Sequence, residues 1–115
     1  MADISVRRAR PTDLQDVARL LSQLHPTDPP LVPGEQEVAT AWSAILKEPT
    51  RHLLVAEAAG ALVGTTDCIV VANLTHQGSP YIVVENAVVD RSWRDRRVAT
   101  QLIEAVLELA RDHGC

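Results

Sequence analysis

The sequence has no phenylalanine, one tyrosine and two tryptophans, an aromatic content of 3%. Rings are therefore too scarce for a stacking surface of the kind that binds single-stranded nucleic acid. Basic residues are also in deficit, eleven against fifteen acidic ones, and the net charge of −4 argues against a phosphate-backbone binder. The two cysteines, Cys68 and Cys115, cannot build a disulfide framework, so a reducing compartment, the cytoplasm, is the expected location. No apolar run reaches the ~18 residues of a membrane span. The first thirty residues hold Arg7, Arg8 and Arg10 but no signal-like apolar segment. Neither nucleic acid nor membrane is an expected partner. His25, His52, His76 and His113 are dispersed, and nothing pairs Cys68 with a histidine at ligand spacing, so no metal is expected.

What is present suits one small domain. A chain of 115 residues has room for a single core, with 46% hydrophobic and 23% charged residues, close to globular averages. Ile4 to Ala9 alternates as a short strand closed by Pro11. Thr12 and Gln15 are spaced as a capping box, Asp13 and Asp16 load the first helical turn, and Leu14, Val17, Ala18, Leu21 and Leu24 share a face. Four prolines between His25 and Gly34 forbid regular structure and stiffen the loop. A second helix carries Val38, Trp42, Ile45 and Leu46 inward and stops at Pro49. His52 to Glu57 and Ala61 to Ala72 form a hairpin about Ala58-Ala59-Gly60. After a loop from Asn73 to Pro80, the β-branched run Tyr81 to Val89 predicts a fully buried strand. Asp90 to Arg97 is a charged connection. From Val98 a long helix places Ala99, Leu102, Ile103, Val106, Leu109 and Ala110 on one face and stops at Gly114. The order predicts an α+β domain, a mainly antiparallel sheet flanked by helices.

Two stretches are candidates for chemistry. Glu85 and Asn86 interrupt an apolar strand, and a buried polar group must be compensated. Burial would raise the pKa of Glu85 and suit it to general-base work. An ion pair with an arginine, beside an Asn that satisfies a strand irregularity, explains the pair equally. Arg94 to Thr100 lies between strand and helix, and Arg91, Arg94, Arg96 and Arg97 put four of ten arginines into seven positions. Free N–H groups at a helix start and nearby arginines make an anion pocket. A solvated arginine cluster, with Asp95 as the helix N-cap, is the other reading.

Val88-Val89-Asp90-Arg91-Ser92-Trp93-Arg94-Asp95-Arg96-Arg97-Val98-Ala99-Thr100-Gln101-Leu102-Ile103 resembles the acetyl-CoA-binding motif of the GCN5-related N-acetyltransferases (GNAT). Val6 to Leu14 is similar to that family's first strand and helix, and Val55 to Gly64 to its hairpin of strands two and three. The resemblance implies that acetyl-CoA is the co-substrate, its pantetheine arm bonded by backbone groups near Val88 and Val89. It places the pyrophosphate at Arg94, Asp95, Arg96, Arg97, Val98, Ala99 and Thr100. It casts Glu85 as the base, acting through water, for direct attack by a primary amine of a small molecule, with no acyl-enzyme. Cys68 and Cys115 are accordingly not nucleophiles.

Two departures from the pattern carry expectations. The family's central glycine is Arg97 here, and a Cβ there should crowd the pyrophosphate unless the side chain swings out. The fifth strand, fourth helix and closing strands that the family places after this point do not follow Gly114, so residues 1–115 are expected to be a single, incomplete GNAT domain lacking its C-terminal strands. The fourth strand would then be an open apolar edge able to pair with another chain. This leaves a second reading, a non-catalytic, degenerate module that self-associates there as a homodimer or by strand exchange.

Overall fold

Alternating apolar residues on paired strands, with an amphipathic helix on each side, lead to a two-faced sheet. The computed structural model describes residues 3–115. Four antiparallel strands, β1 (Ile4–Arg8), β2 (Arg51–Ala58), β3 (Ala61–Val71) and β4 (Tyr81–Val89), lie in the order β1-β2-β3-β4. Helices α1 (Leu14–Ser22) and α2 (Gln36–Lys47) cover one face, and α3 (Val98–Asp112) covers the other. Under α1 and α2 the core is Val17, Leu20, Trp42, Leu53, Val55, Leu62 and Val88. Under α3 it is Leu54, Ala56, Val63, Cys68, Val98, Leu102 and Val106. The alternation of Leu53 and Val55 with Leu54 and Ala56 is the period-two signature of a strand buried on both faces.

The hairpin turns on Ala59 and Gly60, both in the left-handed region at φ 52° and 77°, as a two-residue turn between right-twisted strands requires. Gly64 permits a close approach. A Cβ there would lie 2.8 Å from Val98 Cγ1 and 3.1 Å from Leu102 Cδ1, so the start of α3 rests almost on the β3 backbone. Trp42 is buried and its indole N–H donates to the Pro11 carbonyl at 3.2 Å, a core role as expected.

Three local expectations are corrected. Asp13, not Thr12, closes the start of the first helix. A 3-10 turn (Pro11–Asp13) precedes α1, and the Asp13 carboxylate accepts the Arg10 N–H at 2.7 Å. The same carboxylate accepts from Arg7, which also reaches Glu57 and so ties β1, the turn and β2 together. On α3 the buried stripe is Val98, Leu102 and Val106, whereas Ala99 and Ile103 are exposed, because the helix rotates its next face past the edge of the sheet. β4 is not fully buried. Only Val88 is buried along it, since among the described residues β4 pairs with β3 on one edge and has no strand on its other.

Candidate functional site

The polar interruption of β4 proves to be a bulge. Thr65 pairs with Val88 and Asp67 with Glu85, so Asn86 and Ala87 together face Thr66. Asn86 takes a left-handed φ of 54°, which asparagine tolerates better than most residues. The Thr66 hydroxyl donates to the Glu85 carbonyl at 3.3 Å. The extra residue reverses the alternation beyond it. Val88 turns into the core under α1, and Val89 turns toward α3. The strand-irregularity reading of Asn86 is therefore correct.

Glu85 is exposed, so burial does not act on it as the sequence suggested. Nor is it ion-paired among the described residues. Arg51 is held instead by Asp67, a buried carboxylate whose hydrogen bond raises the Arg51 pKa, with burial opposing. Glu85 lies opposite Asp67 and hence on the face that α1 and α2 cover, since directly paired strand residues share a face.

The connection after β4 is pinned from both sides. The Asp90 carboxylate accepts from the Ser92 N–H and hydroxyl, each at 3.0 Å, and from Arg19 of α1 at 2.9 Å. The Ser92 N–H, with lesser help from its hydroxyl and Arg19, holds the Asp90 carboxyl below its usual pKa, against burial. Arg19 also donates to the Leu62 carbonyl, and Gln23 accepts the Arg91 N–H. Trp93 packs against the α3-side core, with the Arg96 guanidinium 5.3 Å from its ring centre.

The start of α3 carries two left-handed residues, Asp95 at φ 63° and Arg97 at φ 69°. Asp95 is not the N-cap. Arg97 occupies that position, and no side chain caps the helix. The first intrahelical bond runs from the Gln101 N–H to the Arg97 carbonyl, so the N–H groups of Val98, Ala99 and Thr100 have no helical partner. Val98 is buried as the anchor on Gly64, while Ala99, Thr100 and the Arg97 side chain are exposed. Arg94 reaches back to the Val89 carbonyl at 3.4 Å. Unpartnered N–H groups at a helix start are the kind of arrangement that can receive an anion.

An apolar groove of about 330 Å³ runs between β4 and α3, bordered by Val84, Ala87, Ile103 and Leu107. A smaller cleft of about 200 Å³ lies on the other side of the bulge, where Asn86 faces the end of α1 and the proline-rich loop. Among the described residues no group of three His, Cys, Asp or Glu side chains could hold a metal ion. Cys68 is buried, its thiol pushed up to about 11 chiefly by that burial, which leaves it unreactive at neutral pH. No helix among the described residues is long and apolar enough to cross a membrane. Sequence reasoning missed Gly64 and the Arg19–Asp90 brace. Their importance depends on contacts across 34 and 71 positions, which no local pattern announces.

An antiparallel sheet bulged in its last strand and followed by a left-handed loop into an uncapped helix defines an α+β domain whose last helix begins with free N–H groups. The chain belongs to the acetyltransferase (GNAT) family, whose model matches residues 14–115. It is similar to a candidate acetyltransferase from Agrobacterium tumefaciens, with 32% identity and a TM-score of 0.89 over 96% of this chain and 76% of that one. An aminoglycoside N-acetyltransferase solved in complex with CoA is 27% identical, with a TM-score of 0.79 over 100% of this chain and 74% of its own. A transcriptional regulator from Bacillus halodurans, 23% identical with a TM-score of 0.90 over 98% of this chain and 77% of that one, shares the fold.

Proposed function

We propose that the protein is an acetyl-CoA-dependent N-acetyltransferase acting on a primary amine of a small molecule. The observation that carries this reading is the open N-terminus of α3. Three backbone N–H groups have no helical partner there, and Arg97, at the position that the family pattern gives to glycine, is left-handed. In this reading the N–H groups of Val98, Ala99 and Thr100, with Arg94, Arg96 and Arg97, hold the pyrophosphate. In this reading the Arg97 side chain, which is exposed, swings clear of the diphosphate instead of crowding it. Asp95 is an opposing charge within Arg94 to Thr100. The unpaired edge of β4 near Val88 and Val89 takes the pantetheine arm.

The amine nitrogen attacks the thioester carbonyl. A C–N bond forms and the C–S bond breaks, the thiolate leaves, and the amine proton passes through water to Glu85. The exposure of Glu85 suits a water relay better than direct contact. Among the neighbours, the aminoglycoside N-acetyltransferase solved with CoA supports both the coenzyme and the amine acceptor.

Titration calorimetry with acetyl-CoA tests the cradle, and thiol release in the presence of amines tests the transfer. Saturable heat is expected, and Glu85→Gln should lower kcat by about 10² to 10⁴-fold, the range of general-base catalysis, while leaving that heat unchanged. A chain that gives no heat with acetyl-CoA, with Arg97→Gly equally silent, would refute the reading.

A second reading is favoured by one observation. The β4 edge is unpaired, and Val84, Ile103 and Leu107 beside it are 48%, 58% and 50% exposed. A non-catalytic module that pairs β4 with that of a second copy would cover them. Sedimentation velocity separates the two, since a clean monomer at high concentration removes the self-associating module.

A further inference from the structure

The cleft beside the β4 bulge has the makings of an acceptor pocket. Its floor is apolar, with Leu21 from the end of α1, Leu24 just beyond it and Leu31 from the loop, and its polar groups are Ser22, Asn86, His25 and Asp28. Asp28 is its one carboxylate. The Asp28 N–H donates to the His25 carbonyl at 3.0 Å, closing a turn between Pro26 and Pro29 that holds the backbone carrying the carboxylate. Asn86 follows Glu85 directly, and Glu85 lies on the sheet face that α1 covers, the side on which this cleft opens. At about 200 Å³ the cleft suits a molecule smaller than a drug-sized ligand.

The geometry points to this cleft as the acceptor site and to Asp28 as the residue that selects acceptors carrying a second positive charge on a short aliphatic body. Its chemistry rests on the acetyl-transfer reading above, but its binding does not. An α,ω-diamine would lay its methylenes on Leu21, Leu24 and Leu31, with one ammonium at Asp28 and the other nitrogen, as free amine, toward Glu85. An amino acid of equal length would set its carboxylate against Asp28 and be repelled.

The test compares 1,5-diaminopentane with 5-aminopentanoate in thiol-release kinetics with acetyl-CoA. The diamine should have the higher kcat/KM. Asp28→Asn should lower the diamine value about threefold, the scale of an exposed ion pair. The amino-acid value should hold or rise, Asp28→Glu should restore the preference, and acetyl-CoA heats should be unaltered. Equal rates for the two acceptors, or a preference untouched by Asp28→Asn, would overturn the assignment. If neither amine turns over, the kinetics are silent on the pocket while the acetyl-CoA heat still judges the acetyl-transfer reading, and amide NMR decides the pocket. Shifts at Asp28, Leu31 and Asn86 on adding 1,5-diaminopentane alone, lost in Asp28→Asn, support it; unmoved resonances reject it.

Discussion

Three non-glycine residues with left-handed backbone, Asn86, Asp95 and Arg97, flank the candidate site. Such conformations cost on the order of 1–2 kcal/mol for an ordinary L-residue and persist only where surrounding structure holds them. Arg97 is the clearest case, because its Cβ strains the backbone while its guanidinium stays free for an anion. Arg97→Gly should relieve that strain, less the entropy glycine loses on folding, for a net gain of about 0.5 kcal/mol. Arg97→Ala keeps the strain and should gain nothing. Thermal melts of the two variants check this, and a glycine variant melting below the alanine one would show that the backbone is not strained there. The oddness of Asn86 is legible in the sequence, since an amide inside an apolar run needs a reason. That the reason is a bulge is not, because a bulge is a mismatch between two strands and only the pairing with Thr66 reveals it.

At the scale of elements, α3 is placed by one backbone contact. Gly64→Ala would press a methyl against Val98 Cγ1 and Leu102 Cδ1, both in the core, with an expected destabilisation of about 1–3 kcal/mol by urea unfolding. The start of α3 must then lift from β3, so binding of acetyl-CoA should weaken more than an equally destabilising change elsewhere, such as Leu46→Ala under α2. Equal weakening in both would mean that the cradle does not depend on this contact. The hairpin offers a simpler test. Ala59 sits at φ 52°, and Ala59→Asn should raise stability by about 0.5–1 kcal/mol, since asparagine accepts that region more readily. The hairpin, the three long helices and the antiparallel order were legible because each is written in local periodicity and turn residues. The rotation of α3 was not. Ala99, Ile103 and Leu102 lie within one helical turn and look alike in sequence, and only the width of the sheet decides which of them is covered.

Over the whole molecule, the two sheet faces differ in how they meet acid. Beneath the end of α3, His52 is 7% exposed, both ring nitrogens lack partners, and its ring meets that of His113 edge-on with centres 5.4 Å apart. Arg8 of β1 adds a like charge, and Cys68, directly opposite on β3, bonds the His52 carbonyl rather than the ring. Burial first, then Arg8 and His113, hold the His52 pKa below its ordinary 6.5, so the folded protein binds this proton less readily than the unfolded chain. Stability from this site is therefore complete above about pH 6.5 and is lost as pH falls from there toward the lowered folded value. On the other face, Asp13 is held low chiefly by its bond from Arg7, so its contribution survives until pH drops below the ordinary carboxylate value of 3.8. Two separate acid transitions are expected in melting temperature against pH. His52→Leu should flatten the first, between pH 7 and 5, and leave the second in place. Asp13→Asn should lower stability at pH 7 and soften the second, to which Asp90 also contributes, while leaving the first in place. A His52→Leu variant with an unchanged slope between pH 7 and 5 would place the titrating group elsewhere, and the buried imidazole would then be no more than packing between β2 and α3.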